Sequence, residues 1–395
     1  MILKNAKVYT PLQAVQTDLV IQDAKIARLG KSSERGIDLS HLWVIPALVD
    51  LNVRPIDGKV SVASLQHLSR EAAMGGVGTV ALMPDLSPPV CDEITLEFVR
   101  SQHSSIDILP LVTALKDEQT MSEIAILLKK GALSIWCSSD TNPYLLARIF
   151  EYAKMHGIQI HIEPKNALFR DVGVMNEGET AFRMGLGGIS KLEEHAEVAK
   201  IIQYSDYYRV PVLFKAVSTA KALQMIAKGS LCYAEVSMHH LLLDDTACEG
   251  YNTYAKLSPP LRESTERVAL QKALQEGRID TLTSLHSPTS HVSKDVSFDE
   301  ASFGIDALRY YLPLLFTKLV QEGLVSMHRL IELTATNPAC FTGRKIGKIE
   351  EGYAADLVVF DPKGVTSVEN PLYEGSVQGS IKALIKDGEI VWGDL

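Results

Sequence analysis

Residues Ala72–Val90 read AAMGGVGTVALMPDLSPPV. At the centre of this stretch is a short apolar run, TVALM (79–83), bounded by glycines on one side and prolines on the other, the pattern of a buried strand. Runs of the same kind recur at ILPLV (108–112), ALSIWC (132–137), QIHI (159–162), VPVLF (210–214), LCYAEV (231–236) and TLTSL (281–285). Between them lie stretches with helical character, such as Tyr144–Met155, His195–Tyr204 and Arg267–Glu276. Strand then helix, repeated, predicts βαβ units and a parallel sheet. About seven or eight such units over roughly 290 residues fit a closed (β/α)8 TIM-type barrel better than an open sheet.

Outward from this region the period changes on both sides. Ile2–Tyr9, Asp18–Ile21, Lys25–Leu29 and Trp43–Ile45 alternate polar and apolar residues between turns, and KIGKIEEGYAADLVVFDP and SIKALIKDGEIVWGD repeat the pattern near the other end. The expected α/β architecture is therefore an N-terminal sandwich part (1–47), a barrel (48–337) and a C-terminal sandwich part (338–395). The two flanks combine beside the barrel into one small composite β-sandwich.

The 395 residues are 46% hydrophobic and 22% charged, which excludes disordered and fibrous classes. A net charge of −9 with scattered Lys and Arg leaves no footprint for nucleic acid or an anionic membrane. No apolar stretch is long enough to span a bilayer, and the start reads as strand rather than signal peptide, so a cytoplasmic location is expected. The five cysteines, Cys91, Cys137, Cys232, Cys248 and Cys340, are widely spaced and form no CxxC pair. They are expected to be small buried hydrophobes rather than disulfide partners or zinc thiolates.

Several runs carry a more specific resemblance: VIPALVDLNV (44–53), AAMGGVGTVALMPDLSPPV (72–90), GVMNEGETAFRMGLGGIS (173–190), YAEVSMHHLLLDD (233–245), AKLSPPLR (255–262), SKDVSFDEASFGI (293–305), TNPACFTG (336–343) and GKIEEGYAADLVVFDP (347–362). Across nearly the whole chain the sequence resembles the cyclic amidohydrolases, and through GVMNEGE and SPPLR the dihydroorotases. That resemblance implies one or two zinc ions that polarise a ring carbonyl and activate water, with a carboxylate shuttling the proton.

The ligand positions that the resemblance implies are replaced here. The family's Asp-x-His-x-His followed by Arg reads Asp50-Leu51-Asn52-Val53-Arg54-Pro55-Ile56, so Asn52, Arg54 and Ile56 stand for two imidazoles and a substrate-reading Arg. Arg54 stays protonated and cannot ligate a cation. Cys137 falls at the bridging carboxylate or lysine, Glu163 at the next His, Ala216 at the His after it, and Leu285 at the metal-binding Asp that serves as base. His286 survives from the last motif, while Asp85 and Ser258 take the places of two substrate-binding Asn residues. Arg54 and Glu163 are expected to face the old metal cavity and to pair there, unless Arg54 turns to solvent at the barrel mouth.

Alternative clusters are weaker. His239 and His240, adjacent in a strand-like run, should point to opposite faces, and His286 with His291 has no defined geometry. Cys137 lacks a positioned base and is read as core or cavity lining. The expectation is a non-catalytic dihydroorotase-like protein without a cofactor. Its expected partners, by resemblance to catalytically dead homologues, are aspartate transcarbamoylase and further copies of itself, as in a dimer. Two other readings stay open. One is an active cyclic-amide hydrolase with zinc on His161, Glu163, Asp140 and His286. The other is a sensor that binds a pyrimidine precursor without turnover.

Overall fold

The computed structural model describes residues 1–395. Eight parallel strands form the barrel: β1 Leu48–Val53, β2 Val77–Leu82, β3 Asp107–Pro110, β4 Ile135–Ser138, β5 Ile160–Glu163, β6 Val212–Phe214, β7 Cys232–Ser237 and β8 Thr281–Thr283. Each pairs with the next in sequence order, the link from β3 to β4 running through Val112–Thr113. The circle closes where the Arg54 amide donates to the His286 carbonyl at 2.8 Å and Thr283 Oγ1 donates to Asp50 at 2.6 Å. Val49, Leu51, Ala81, Met83, Leu111, Trp136 and Leu213 from five strand regions form an inner apolar cluster with Ala339 and Ile346. The opposite strand faces pack under the helices in a much larger core.

Helices form where the helical stretches were expected, and local chemistry sets their ends. Pro143–His156 starts on the Asn142 side chain, which accepts from the Tyr144 amide, and stops at Gly157, whose φ of 63° is left-handed. Lys191–Tyr208 starts on Ser190 and runs well beyond the predicted His195–Tyr204. Ser264–Gln275 covers Arg267 onward. No helix is long and apolar enough to cross a membrane.

Both flanks enter one hydrogen-bonded sheet in the order Glu389–Gly393, Gly375–Lys386, Leu357–Val368, Trp43–Pro46, Ile2–Tyr9, Ala14–Gln22, Lys25–Leu29. The seam between the two ends pairs Val358 with Ile45 and Val359 with Val44. Alternation then serves two cores. Val44, Leu357, Val359, Ala383 and Ile385 join Leu3, Val8 and Leu19 in a core of the sheet's own. Ile45, Val358, Phe360 and Leu384 pack into the barrel's outer layer.

All five cysteines are free. Only Cys137 and Cys248 are buried as expected; Cys91 and Cys232 are half-buried, and Cys340 is exposed at the end of Asn337–Cys340, where its thiol donates to the Thr336 carbonyl.

Candidate active-site cavity at the barrel mouth

At the C-terminal ends of the strands a cavity of about 240 Å³ is lined by Arg54, Asp85, Glu163, Lys165, Ser258 and Leu285 among others. Beneath it runs a chain of paired charges. Arg54 donates from Nε and Nη2 to both oxygens of Asp85, at 2.9 and 2.8 Å. Its Nη1 donates to Asn52 Oδ1 at 3.2 Å, and Asn52 Nδ2 donates to Glu235 Oε1 at 2.8 Å. Glu235 Oε2 accepts from Lys215 Nζ at 2.6 Å, and that ammonium also donates to the Leu51 carbonyl at 2.6 Å. Neither Lys215 nor Glu235 has any solvent exposure. Beside this chain, the Asp50 carboxylate accepts from Thr283 Oγ1 and from the amides of Ser284 and Asn52.

The expected pairing of Arg54 with Glu163 is present at 3.7 Å, and Arg54 does not turn to solvent. Its principal partner is Asp85, whose position had been read only as a lost Asn. Burial would raise the Glu163 carboxyl, but Lys165 and Arg54 outweigh it and hold the group down at about 2. Burial pulls Lys215 below its ordinary value despite the attraction of Glu235.

The other marked positions fall in different places. Ala216 and Leu285 are buried non-glycine residues at φ 50° and 52°, a left-handed conformation that costs about 1–2 kcal/mol each. The Ala216 amide donates to Glu235, and Leu285 lines the cavity wall. Ser258 accepts from Arg170 Nη1 at 2.8 Å. Ile56 opens a tight turn, Ile56–Gly58, half-buried. Cys137 is not brought to the site: it belongs to the core under the helices, where burial pushes its thiol up to about 12. Its neighbour Trp136 takes the inner face instead.

The alternative zinc set does not assemble. Asp140 is exposed and accepts from the Ala167 amide. His161 is buried deeper in the barrel, beside Gln159 and Phe341. His286 Nδ1 accepts from the Ala307 and Leu308 amides, which leaves its proton on Nε2 without a partner. His291 is exposed on a separate short turn. No group of three or more His, Cys, Asp or Glu is placed to hold a metal ion. The six positions that the resemblance gives as ligands do not fit zinc: four supply an amide, a guanidinium, a methyl group and an isobutyl group, Cys137 lies in the core under the helices, and the Glu163 carboxylate is taken by Lys165 and Arg54.

His239 and His240 lie on a helical turn, Met238–Leu242, not in a strand, because the Ser237 side chain caps the turn. His239 bonds the Ser284 carbonyl and Tyr373 hydroxyl, and His240 bonds Ser237 Oγ and the Pro260 carbonyl. Burial lowers these rings to about 4 and about 3, and His286 to about 3. All three are neutral when folded, whereas the unfolded chain takes up protons near pH 6.5. Their stabilisation is complete above that pH and is lost as the pH falls toward the folded values. The expected result is an unfolding free energy that starts to fall near neutrality, by up to about 1.4 kcal/mol per pH unit for each ring. Urea midpoints that stay flat between roughly pH 7.5 and 5 would contradict it. Glu163 adds a separate loss below about pH 4.5, because its folded value is depressed too.

Sequence reasoning missed Lys215, Glu235 and a second buried network behind the cavity. There Glu194 accepts from Ser218 and Thr219, and Arg262 donates to Ser218, Asn176 and the Ile189 carbonyl. Asn176 and Arg262 come from the GVMNEGE and SPPLR runs, so those runs brace the barrel mouth from within. A charged residue inside an apolar strand, as in VLFK and YAEV, was the available signal.

Comparison with known proteins agrees with this architecture. The dihydroorotase of Geobacter metallireducens is 30% identical over 99% of both chains. That of Acetivibrio thermocellus is 29% identical over 99% of this chain and 98% of its own. Among solved structures, the L-hydantoinase (dihydropyrimidinase) from Arthrobacter aurescens superposes with a TM-score of 0.89 at 22% identity, covering 100% of this chain and 96% of its own. The D-hydantoinase (dihydropyrimidinase) from Thermus sp. gives 0.86 at 20% identity, covering 100% and 98%. These two likenesses concern the fold alone. The profile of the "Amidohydrolase family" matches residues 31–391. With that profile spanning the whole barrel and the sheet strands from Trp43 onward, the chain belongs to the amidohydrolase family.

Proposed function

We propose that this chain is a dihydroorotase homologue of the pyrimidine pathway that has given up hydrolysis and acts as a structural subunit for aspartate transcarbamoylase. The observation that carries the first half is the chain of paired charges from Lys215 to Asp85, which fills the centre of the site with cations of the protein's own. Ring-amide hydrolysis needs a polarised carbonyl and an activated water; Leu285 cannot take a proton from water, and the carboxylates beside it, Asp85 and Glu163, are already paired with Arg54 and Lys165. The second half rests on the resemblance to catalytically dead dihydroorotase homologues that accompany aspartate transcarbamoylase, together with a family fold retained from end to end.

The names of the curated relatives favour a second reading, an active dihydroorotase with an unusual site. A sensor role is disfavoured because the Arg54 fork is already closed on Asp85 and is not free for a ligand carboxylate.

The test is to purify the protein untagged, measure zinc by elemental analysis, and assay dihydroorotate formation and hydrolysis with and without added zinc. The protein is then coexpressed with the aspartate transcarbamoylase catalytic chain and the mixture is fractionated by size. The expected outcome is no stoichiometric zinc, no turnover and comigration. Turnover with bound zinc establishes the second reading, and migration apart from the transcarbamoylase removes the assembly role.

A further inference from the structure

The histidines missing from the old metal site account for a lost affinity, but the chain also contains something positive in their place. Lys215 directly follows β6, two residues after Leu213, and by continuation of the strand alternation the two share the inner face of the barrel. Ala216 then turns the backbone left-handed and ends the strand, leaving the ammonium buried between β1, β6 and β7. It has two acceptors at 2.6 Å, the Leu51 carbonyl on β1 and Glu235 on β7. The same Glu235 carboxylate takes Asn52 at 2.8 Å and the Ala216 amide at 3.2 Å, which are two of the replaced ligand positions. One step further out stands the guanidinium of Arg54, bonded to Asn52.

We infer that Lys215 and Arg54 are a tethered substitute for a divalent cation, and that Lys215 now excludes a metal from the barrel even when ligands are restored. Between them the two side chains carry the charge of one divalent ion; they pair with Glu235 and Asp85, while Glu163 is held by Lys165 and lies 3.7 Å from Arg54. An ion entering among the strand ends would meet a like charge within one shared carboxylate's width, in a region with no solvent to screen it. It would also have to take Glu235 away from a partner that is covalently held in place and therefore costs no binding entropy. The inference rests on the reading that the chain has no working metal centre.

The test restores the three imidazoles in the intact chain, Asn52→His, Arg54→His and Ala216→His, in two backgrounds. One keeps Lys215, and the other adds Lys215→Met. Cobalt(II) is titrated into each, with its visible absorption as the signal for an ordered ligand set, and thermal unfolding confirms the fold. Should the Met background fail to fold, Lys215→Gln replaces it, a neutral side chain that still donates to Leu51 and Glu235. The expected result is that the Lys215-containing triple variant binds cobalt at least a hundredfold more weakly than the version without the ammonium. Equal affinity in the two backgrounds, or no binding in either Lys215-free protein, overturns the inference. Wild-type protein carrying zinc and turning over dihydroorotate would instead sink the proposed function, so the two failures are distinguishable.

Discussion

Replacing Lys215 by methionine is expected to lower the unfolding free energy by about 3–5 kcal/mol, the usual cost of breaking a buried ion pair from one side. Methionine matches the length and fills the space, so the loss is electrostatic rather than a packing defect. Glu235 would remain fully buried with only the Asn52 side chain and the Ala216 amide to support a negative charge. The pairing of that charge is therefore the quantity tested, and the double variant Lys215→Met with Glu235→Gln separates it from everything else. The glutamine oxygen can still accept from Asn52 and Ala216 while carrying no charge. The double variant should accordingly be more stable than the Lys215→Met single variant, with a coupling of about 1–3 kcal/mol. Urea unfolding of the four proteins gives the cycle directly. A single variant within about 1 kcal/mol of wild type would mean that the pairing of Lys215 with Glu235 contributes little to stability.

The second large effect is expected at Gly75, where alanine should destabilise by about 3 kcal/mol or more. The amide of Gly75 closes the Val62–Met74 helix by donating to Glu71 and Ala72. A Cβ built there would lie 1.8 Å from the Leu308 carbonyl oxygen and 2.9 Å from its carbon, both backbone atoms that no rotamer change can move aside. Relief requires the helix end to part from the Leu308–Tyr310 turn. That movement would also strain Arg309, which donates to both oxygens of Glu71 at 2.8 and 2.6 Å. Gly157→Ala is the natural control. Its φ is 63° but nothing lies within 4 Å of the new methyl, so it should cost only about 1 kcal/mol from backbone strain. A urea midpoint for Gly75→Ala no lower than that of Gly157→Ala would refute the argument from close approach.

How far the molecule could be read before its structure depends on what each feature requires. The barrel and the two-ended sheet follow from periodicity, because strands such as TVALM and VPVLF show their burial in their own residues. The substitutions that the family resemblance implies at Asn52, Arg54, Ala216 and Leu285 were equally legible, since each is a change of side chain at a motif position. What moved in to replace them was not. Glu235 is one strand and twenty residues from Lys215, and nothing in either segment names the other. Asp85 reads in sequence as a replaced Asn, and only the structure puts its carboxylate on two of the three guanidinium nitrogens of Arg54. Cys137 is core, one of the two places read for it; its side chain is one residue of strand register from the inner face, which is enough to send it to the opposite side. His239 and His240 were read as strand because Ser237, the residue that starts their helical turn, acts through a hydrogen bond three residues on.

The seam at Ile45–Val358 also sets a timetable for the ribosome. Roughly 310 residues separate Trp43–Pro46 from Leu357–Val368, so at about 5–20 residues per second the first half of the sheet waits some 15–60 s for its partner. Throughout that interval Val44 and Ile45 present an unpaired, apolar strand edge, the kind of surface on which nascent chains associate with one another. Production of this protein should therefore be sensitive to chaperones that bind nascent chains and to slower translation, even though the finished molecule shows no such edge at that strand.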